Sequence, residues 1–340
     1  MIKRSFHSII LCLFLALTLH GQSFNNAGST GMQFLKIGTS TRAGGMGGAF
    51  GSISGDISSL SINPASIGTI QSLALSVQHT TWVEQTDLNF IGLVVPISDA
   101  VNLGLQTTYL TSGNIEITTI EIPEGTGQYY DMSDIAVGLT PSVRLTSQLT
   151  FALTVKYLQE RIYDVSTDGL AIDAGMWYAT GFKSLDLGFS ITNLGYEQQF
   201  SGQSLEVRYV PADPAEPDSR AELQTQKFGL PLSFRASGSF DLFEMLDEKL
   251  NKHQCITVID FIQNSDTRER VLIGAEYRYS GTIFLRGGYT FNADELSWSS
   301  GVGTFISMSG YDIQFDASAA SLGRFGMHYQ VGLAIYAKVR

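Results

Sequence analysis

The sequence predicts an all-β fold: a transmembrane antiparallel β-barrel of about 14 strands with an N-terminal plug, or hatch, inside it. Three observations predict this fold. Stretches of about ten residues alternate between apolar and polar positions, an export signal precedes them, and short and long connections alternate between them. Because successive side chains of a strand point to opposite faces, each stretch has one face suited to lipid and one suited to water.

Residues 1–21 predict a signal peptide. Lys3 and Arg4 give a basic start, Ser8 to Leu19 form a short apolar core, and Gly21 is a small residue at the cleavage position. The apolar core is too short for a comfortable membrane span. An exported chain with amphipathic strands is predicted to reach the bacterial outer membrane, with outer-membrane lipid as its surroundings.

The composition argues against several function classes. The net charge is −11 and charged residues make up only 16% of the chain, which argues against nucleic-acid binding. After cleavage a single cysteine, Cys255, remains, so no internal disulfide and no cysteine-based metal cluster is expected. No nucleophile elbow, zinc-protease motif or phosphate loop occurs. We therefore predict no enzymatic activity, no catalytic residues, no metal and no cofactor.

Residues 22–70 lack clean alternation and are rich in glycine and serine, and they are predicted to form the hatch. The run Gly44-Gly45-Met46-Gly47-Gly48 lacks the Lys-Ser/Thr pair that a phosphate cradle requires. These glycines are instead predicted to let backbone pack closely inside a crowded lumen.

Residues 71–340 are predicted to form the barrel. Alternation is clean in stretches such as Leu149 to Tyr157, where the odd positions are apolar. The predicted strands begin near Ser72, Asp87, Val101, Ser133, Gln148, Asp168, Ser184, Gln226, Gln254, Glu269, Thr282, Leu296, Gly310 and Phe325.

Connections between these strands mostly alternate between short and long, as expected for periplasmic turns and extracellular loops. Thr111–Met132 and Gly195–Thr225 are the two longest predicted loops, and Gln159–Thr167 is also predicted to be a long one. An even strand number returns both chain ends to the periplasm. The stretch Asp241–Lys252 breaks the rule, and its apolar spacing predicts a short amphipathic helix at the periplasmic rim.

Several charged residues lie on the polar phase of their strands and are predicted to face the lumen, because a charge facing lipid at mid-depth costs roughly 2–4 kcal/mol. Two interpretations remain open for them: an ion-pair network that holds the hatch, or a polar conduit. These residues are Arg144, Lys156, Asp173, Asp186, Glu276, Arg278, Arg286, Asp312 and Asp316.

The N-terminal region resembles a known family. Phe34 to Gly38, Arg42 to Phe50, Asp56 and Asn63 to Ile67 resemble the start of PorV/PorQ-family outer-membrane proteins, which are themselves similar to FadL-type transporters of hydrophobic compounds. The resemblance implies a FadL-like barrel in which these segments belong to the hatch. The hatch motif implied in this way comprises Arg42, Gly44, Gly45, Met46, Gly47, Gly48, Asn63, Pro64 and Ala65.

Two functions follow from the resemblance as expectations. The first is a component associated with the type IX secretion system, which binds secreted protein cargo or partner subunits through the two long loops. The alternative is a FadL-like transporter of lipophilic small molecules. The alternative predicts an apolar pocket between hatch and wall, together with a gap in strand pairing, for which Pro141 and Pro231 are candidates.

Overall fold

The computed structural model describes residues 27–84, 86–209, 219–246, 250–293, 295 and 297–338, and the side chains of residues 208, 209 and 219 are also outside the description. The predicted signal peptide lies outside these residues. Among the described residues, no helix is both long enough and apolar enough to cross a membrane.

Fourteen strands form one antiparallel sheet that closes on itself. In chain order they are β1 Ala74–Thr81, β2 Asp87–Ser98, β3 Val101–Thr111, β4 Met132–Arg144, β5 Leu149–Ile162, β6 Val165–Ala179, β7 Asp186–Gly195, β8 Ser233–Asp241, β9 His253–Asn264, β10 Arg270–Tyr279, β11 Ile283–Phe291, β12 Trp298–Ser307, β13 Tyr311–Ser321 and β14 Met327–Ala337.

Closure is made by β1 and β14, which pair antiparallel from Ala74↔Tyr336 to Thr81↔Tyr329. Every other barrel strand pairs with its neighbours in sequence. A closed sheet leaves no strand edge to satisfy in lipid, which is the condition for a sheet to span a bilayer. The predicted fold class is therefore confirmed.

Burial along the strands is the inverse of that in a soluble protein. On β5, Phe151, Leu153 and Val155 are exposed, whereas Thr150 and Thr154, which alternate with them, are fully buried. Apolar side chains thus cover the outside of the barrel and polar side chains fill its lumen, as the alternating sequence predicts.

Twelve of the fourteen predicted strand starts lie within two residues of the observed starts. The predicted long loop Gln159–Thr167 is wrong, because β5 and β6 continue to a turn at Tyr163 and Asp164, where Tyr163 has a φ of 57°. The sequence pattern failed here because this hairpin is polar on both faces.

The predicted strand start at Gln226 is also wrong, because β8 begins seven residues later at Ser233. The intervening chain makes isolated bridges instead, with Phe228 pairing with Gln198 and Gly229 with Thr30. Shorter strands also occur outside the fourteen: Ile115–Glu116 with Tyr129–Tyr130, Glu206–Tyr209 with Ser219–Glu222, and Ser201–Gly202 against the start of β6.

The barrel has a short-turn end, where β2 meets β3, β1 begins and β14 ends, and a long-loop end, which carries the connections 112–131 and 196–232. At the short-turn end, Leu242–Met245 forms the helix predicted for Asp241–Lys252, capped by the Asp241 carboxylate on the Phe243 N–H at 3.0 Å.

Residues 30–70, called the lumenal segment below, pack against inward-facing side chains around the whole wall. The segment contains one α-helical turn, α1 Thr41–Gly44, and three 3₁₀ turns, Gln33–Lys36, Ile57–Ser61 and Pro64–Thr69. Met46, Phe50, Ile57, Leu60 and Ile67 are each completely buried. The predicted boundaries, with the hatch at 22–70 and the barrel at 71–340, stay predictions, and the first strand begins at Ala74.

Candidate functional site

The glycines of the hatch motif lie flat against the inner wall. Gly47 has a φ of +67°, and a Cβ there would lie 2.9 Å from the Tyr289 backbone nitrogen. Across from it, a Cβ on Gly288 would lie 2.1 Å from the Met46 carbonyl carbon. Gly45 similarly faces Gly301. Backbone therefore touches backbone between the lumenal segment and the wall, which is a contact that only glycine permits.

Arg42 ties the lumenal segment to β10. Its Nε and Nη2 donate to the two carboxylate oxygens of Glu276 at 2.8 and 2.7 Å, and its Nη1 donates to Asp56 at 2.8 Å. Glu276 also accepts from Arg278 Nε at 2.7 Å and Arg286 Nε at 2.6 Å. This bidentate geometry is the strong form of a buried ion pair.

The charged groups around Glu276 are electrically balanced. Arg286 Nη1 lies 2.6 Å from an oxygen of Asp316, which adds a third carboxylate to Glu276 and Asp56 against three guanidinium groups, those of Arg42, Arg278 and Arg286. The lumenal charges were interpreted either as an ion-pair network that holds the hatch or as a polar conduit. These six residues form an ion-pair network. We call these six residues the ion cluster.

Asn63, Pro64 and Ala65 form the turn that starts the third 3₁₀ segment. The Asn63 amide oxygen accepts the Ala65 N–H at 3.1 Å, and its nitrogen donates to the carbonyls of Gly51 at 2.8 Å and Met176 at 3.1 Å. Pro64 occupies the first turn, where its missing N–H costs nothing. These three residues of the hatch motif lie apart from the ion cluster and hold the segment against β6.

Asp260 on β9 also holds the lumenal segment, and the sequence analysis did not predict this contact. Its carboxylate accepts the N–H groups of Phe50 and Gly51 at 3.0 and 3.1 Å, and it also contacts Arg235 and Ser237. The signal was present, because Asp260 is a lone acid inside an almost continuously apolar strand. Such a residue on a lipid-bound strand points inward and needs partners.

A cavity of about 110 Å³ lies between the lumenal segment and the wall. Residues 34–39 and 61–62 form one side of it, and inward-facing residues of β3, β4, β5, β7, β8 and β9 form the other, with Arg270 at the start of β10. The pocket expected between hatch and wall is thus present. The expectation that it is apolar is wrong, because hydroxyl, amide and charged side chains alternate with apolar ones in its lining.

Four basic side chains, Lys36, Lys156, Arg235 and Arg270, line this cavity. Among the described residues of its lining, none carries a carboxylate. Lys156 lies 2.8 Å from an oxygen of Asp173 and donates to the Asn193 amide oxygen at 2.5 Å. The carboxylate partner therefore lies outside the lining, whereas Lys156 itself belongs to it.

Asp266 holds the beginning of the lumenal segment at the long-loop end. Its carboxylate accepts from Lys36 Nζ at 2.8 Å, Thr30 Oγ1 at 2.5 Å and Gln33 Nε2 at 3.1 Å. Burial raises the pKa of this carboxyl group, but these hydrogen bonds and the charge of Lys36 lower it by more, so the pKa lies below its ordinary value.

An apolar cluster separates the cavity from the long-loop end. Met32 and Phe34 pack there against buried side chains of β2 to β6 and of the connection before β8. Those side chains are Leu88, Leu110, Ala136, Leu158, Ala171 and Leu230.

The wall is interrupted beside the cavity. On the side of β6 that faces β7, residues 171–179 pair with β7 and residues 165–166 pair with Ser201–Gly202. Among the described residues, no strand pairs with Thr167–Leu170 on that side. We call this stretch the side gap.

Gln198 closes the side gap. It is 4% exposed and lies against Gly169, where a Cβ would come within 1.9 Å of its Nε2. Its backbone pairs with Phe228, with N–O distances of 2.8 and 3.0 Å. Both polar atoms of its side-chain amide are buried with no hydrogen-bond partner among the described residues.

A β-bulge lies directly below the side gap. Thr192 and Asn193 on β7 together oppose Asp173 on β6, and Asn193 has a φ of 64°. The Asn193 amide nitrogen donates to the Pro231 carbonyl at 3.1 Å. Pro231, one predicted gap residue, therefore lies beside the interruption, just before β8.

Pro141, the other predicted gap residue, causes only a local loss of pairing. Between β4 and β5 the pairs at Thr140 and Pro141 are missing while the register is unchanged on both sides. The hydroxyls of Thr140 and Thr154 bridge this point at 2.7 Å. The wall at Pro141 is therefore closed by side chains.

The described residues contain no group of three or more His, Cys, Asp or Glu side chains that could hold a metal ion.

Residues 15–120 match the model of an uncharacterised protein family, UPF0164. No curated protein matches the chain in sequence. The fold is similar to the Pseudomonas putida toluene transporter TodX (14% identity, 93% of this chain and 98% of that one, TM-score 0.53) and the Ralstonia pickettii toluene transporter TbuX (14%, 88% and 97%, 0.51). It is also similar to a Pseudomonas aeruginosa FadL homologue (12%, 88% and 98%, 0.54).

At these identities the likeness shows the fold, a FadL-like outer-membrane barrel of 14 strands. The predicted outer-membrane localisation agrees with this fold. The specific resemblance to PorV/PorQ proteins is not shown by these comparisons.

Proposed function

We propose that the protein is a FadL-like outer-membrane transporter of small lipophilic molecules. A molecule enters at the long-loop end, binds in the cavity between the lumenal segment and the wall, and leaves sideways through the side gap. The observation that carries the proposal is the interruption of β6 pairing at Thr167–Leu170, next to a cavity. A continuous hydrogen-bonded wall would offer no lateral exit to lipid.

The cavity and the side gap are connected through the bulge. Thr192 and Asn193 line the cavity, and they lie on the strand that ends at the gap. Bulges interrupt strand pairing and redirect side chains next to functional sites. The bulge thus supports a path from the cavity to the gap.

Gln198 supports a gap that opens. A buried amide without hydrogen-bond partners costs on the order of 1–3 kcal/mol per group relative to a hydrated one. Both polar atoms of Gln198 are in this condition in the closed wall. Moving the residue into water therefore recovers free energy that partly offsets the loss of its backbone bridge to Phe228.

The hatch motif has a holding role in this proposal. Arg42, Gly44 to Gly48 and Asn63 to Ala65 fix residues 40–70 to the wall, so that part of the hatch stays in place. Residues 30–37 are held mainly by Asp266, by the apolar cluster and by a 2.9 Å hydrogen bond from the Met32 N–H to Glu160. These residues lie between the long-loop end and the cavity, and we propose that they move when a molecule enters.

The secretion-associated role, which was the first of the two functions that the resemblance suggested, stays an untested prediction. The absence of enzymatic activity also stays an untested prediction. No contact or comparison described above supports secreted cargo or type IX secretion subunits as partners. The proposed partners are outer-membrane lipid around the barrel and a lipophilic ligand within it.

The test is uptake of radiolabelled toluene by Gram-negative cells that produce the protein, compared with cells carrying an empty vector. We expect faster uptake with the protein. Gln198→Leu removes the unpaired amide and keeps the side-chain volume, so it should stabilise the closed wall and slow uptake several-fold.

Gln203→Leu is the matched control, because Gln203 is exposed in the same connection. It should leave uptake unchanged. Toluene uptake equal to that of the empty vector would refute the transport of neutral lipophilic molecules. Equal uptake by wild type and Gln198→Leu would refute the side gap as the exit.

A further inference from the structure

We propose that the cavity recognises small organic monoanions, a carboxylate with a short apolar tail, in preference to neutral hydrocarbons. This inference rests on the proposed function and names its substrate class. It is carried by the juxtaposition of basic, hydroxyl and amide side chains around one cavity, and no carboxylate is among the described residues of its lining.

The charge of the lining differs from that of the chain. The full sequence has 32 acidic and 21 basic residues, yet the described lining contains four basic residues and no acidic one. A random sample of this sequence would be acidic. An occupant of the cavity therefore meets basic side chains directly and acidic ones only behind them, which favours a negatively charged occupant.

Lys36, Lys156 and Arg235 are each paired with an aspartate behind the lining. Lys36 meets Asp266, Lys156 meets Asp173 and Arg235 meets Asp260, and the side chains of these three aspartates are at most 2% exposed. The aspartates lie outside the lining, so the cations present their remaining surface to the cavity. Because these partners already balance much of the charge, the cavity suits a monoanion better than a multiply charged ligand.

Hydrogen-bond donors remain for such a ligand. An ammonium group has three N–H donors. The contacts of the described residues account for one donor on Lys36 and two on Lys156. Hydroxyl groups of Thr39, Thr108 and Thr192 also line the space.

Gln106 is an independent sign that the cavity is built for a polar ligand. It is 5% exposed and lines the cavity, and its amide oxygen has no hydrogen-bond partner among the described residues. A buried amide in this condition is costly unless a ligand or water completes its bonding. An amide can turn either its NH₂ or its oxygen toward the occupant.

The cavity also sets the size and the apolar part of the ligand. Phe34, Leu35 and Ile37 from the lumenal segment and Ile62 and Ile262 nearby supply an apolar surface. Its volume of about 110 Å³ is somewhat below the roughly 150 Å³ of an apolar cavity that holds benzene. A short chain fits this space, a single ring requires the lining side chains to move apart, and a long chain is too large.

The test compares three probes of one shape: benzoate, benzamide and toluene. Benzamide keeps the planar polar group without the charge, and toluene keeps only the ring and one carbon. Uptake of each radiolabelled probe is measured in cells that produce the protein and in empty-vector cells, at a pH near 7 where benzoate is ionised. We expect protein-dependent uptake of benzoate to exceed that of benzamide and toluene by about tenfold, as one hydrogen bond to a charged group contributes.

Two variants locate the effect. Lys36→Met should lower benzoate uptake about tenfold and change toluene uptake less than twofold, because it removes a charged donor and keeps the chain length. Thr192→Val leaves every ion pair intact and should lower benzoate uptake by a few fold. The control Lys252→Met makes the same change of charge at an exposed site at the short-turn end and should change neither. Heat-modifiable gel mobility verifies that each barrel is folded.

The outcomes separate the two proposals. Protein-dependent toluene uptake that equals or exceeds benzoate uptake overturns the anion inference and leaves the transporter proposal standing. Benzoate uptake that all variants share with wild type also overturns the assignment to this cavity. Uptake of none of the probes above the empty vector overturns the transporter proposal itself.

Discussion

Two parts of the lumen use the same kinds of charged side chain for different roles. In the ion cluster, three guanidinium groups and three carboxylates meet between Arg42 of the lumenal segment and the wall at Glu276. In the cavity, Lys36 and Lys156 keep their aspartate partners behind them and face open space. The comparison teaches that buried charges paired across the lumenal segment and the wall hold structure, and that a charge paired only from behind is available to a ligand.

The backbone follows the same division. Where Gly45 and Gly47 meet β11 and β12, backbone lies against backbone and no space remains. Where residues 34–39 face β3 to β5, side chains stand between the two backbones and enclose the cavity. The predictions below break the tight region first and then probe the cavity, in order of decreasing effect on stability.

The largest expected effect is that of Arg42→Met. The change leaves Glu276 and Asp56 buried without their main partner, and removal of one member of a buried ion pair costs on the order of 3–5 kcal/mol. Urea titration of the barrel folded into lipid vesicles measures the free energy of unfolding. Arg161→Met is the control, because Arg161 pairs with Asp131 at the surface, and it should cost less than about 1 kcal/mol. Similar losses in both variants would contradict the holding role of the ion cluster.

The next effect is that of Gly288→Ala. A Cβ at this position would lie 2.1 Å from the Met46 carbonyl carbon and 2.2 Å from the Gly47 nitrogen, so backbone has to shift. Overpacking of this kind costs about 1–3 kcal/mol. The neighbour on the same strand provides a matched control, since a Cβ at Gly287 meets no atom within 4 Å. If Gly287→Ala and Gly288→Ala unfold at the same urea concentration, the close approach of the two backbones is wrong.

The fold was predictable because the strand period and the lipid environment act on every strand. The alternation at Leu149 to Tyr157 fixed both its secondary structure and the face that meets lipid. The hatch glycines were predicted to pack closely, and they do so. The pairing of Arg42 with Glu276 was not predictable, because the two residues are 234 positions apart and no local pattern relates them.

The cavity was predictable in place but not in chemistry. Its lining comes from the lumenal segment and seven strands, and each strand contributes only one to three residues. The sequence placed Lys156 on an inward face, but it gave no reason for Asp173 to lie behind the lysine. The position of the side gap at Thr167–Leu170 was not predicted for a related reason: Gln198 and Phe228 come together through isolated bridges, which have no sequence period.

A smaller effect is expected at Asp266, and it depends on pH. Because the folded state lowers the pKa of this carboxyl group, its contribution to stability is present above the unfolded value of about 3.9 and is lost as the pH falls through the lower folded value. Asp266→Asn should therefore reduce the free energy of unfolding by about 2 kcal/mol near pH 6 and by progressively less as the pH approaches 3. Urea titrations at both pH values test this. Asp131→Asn at the exposed ion pair is the control and should lose less than about 1 kcal/mol. A loss at Asp266 that is independent of pH would contradict the charge-assisted contact with Lys36.

The smallest effect on stability separates the two regions most sharply. Asn102 and Gln106 lie four residues apart on the inner face of β3, and they are 3% and 5% exposed. The Asn102 amide donates to the carbonyls of Ile67 at 2.6 Å and Ile70 at 2.7 Å, whereas the Gln106 amide oxygen, at the cavity, has no partner. Asn102→Leu removes both hydrogen bonds and leaves the buried Ile70 carbonyl without this partner, while the Ile67 carbonyl keeps the Ile70 N–H, and it should cost about 2–3 kcal/mol. Gln106→Leu removes an unpaired polar group and should change the free energy of unfolding by less than about 0.5 kcal/mol, or raise it. Equal costs at the two positions would mean that Gln106 is part of the scaffold. If the Gln106→Leu variant keeps its free energy of unfolding but loses its preference for benzoate over toluene, the unpaired amide acts in ligand binding.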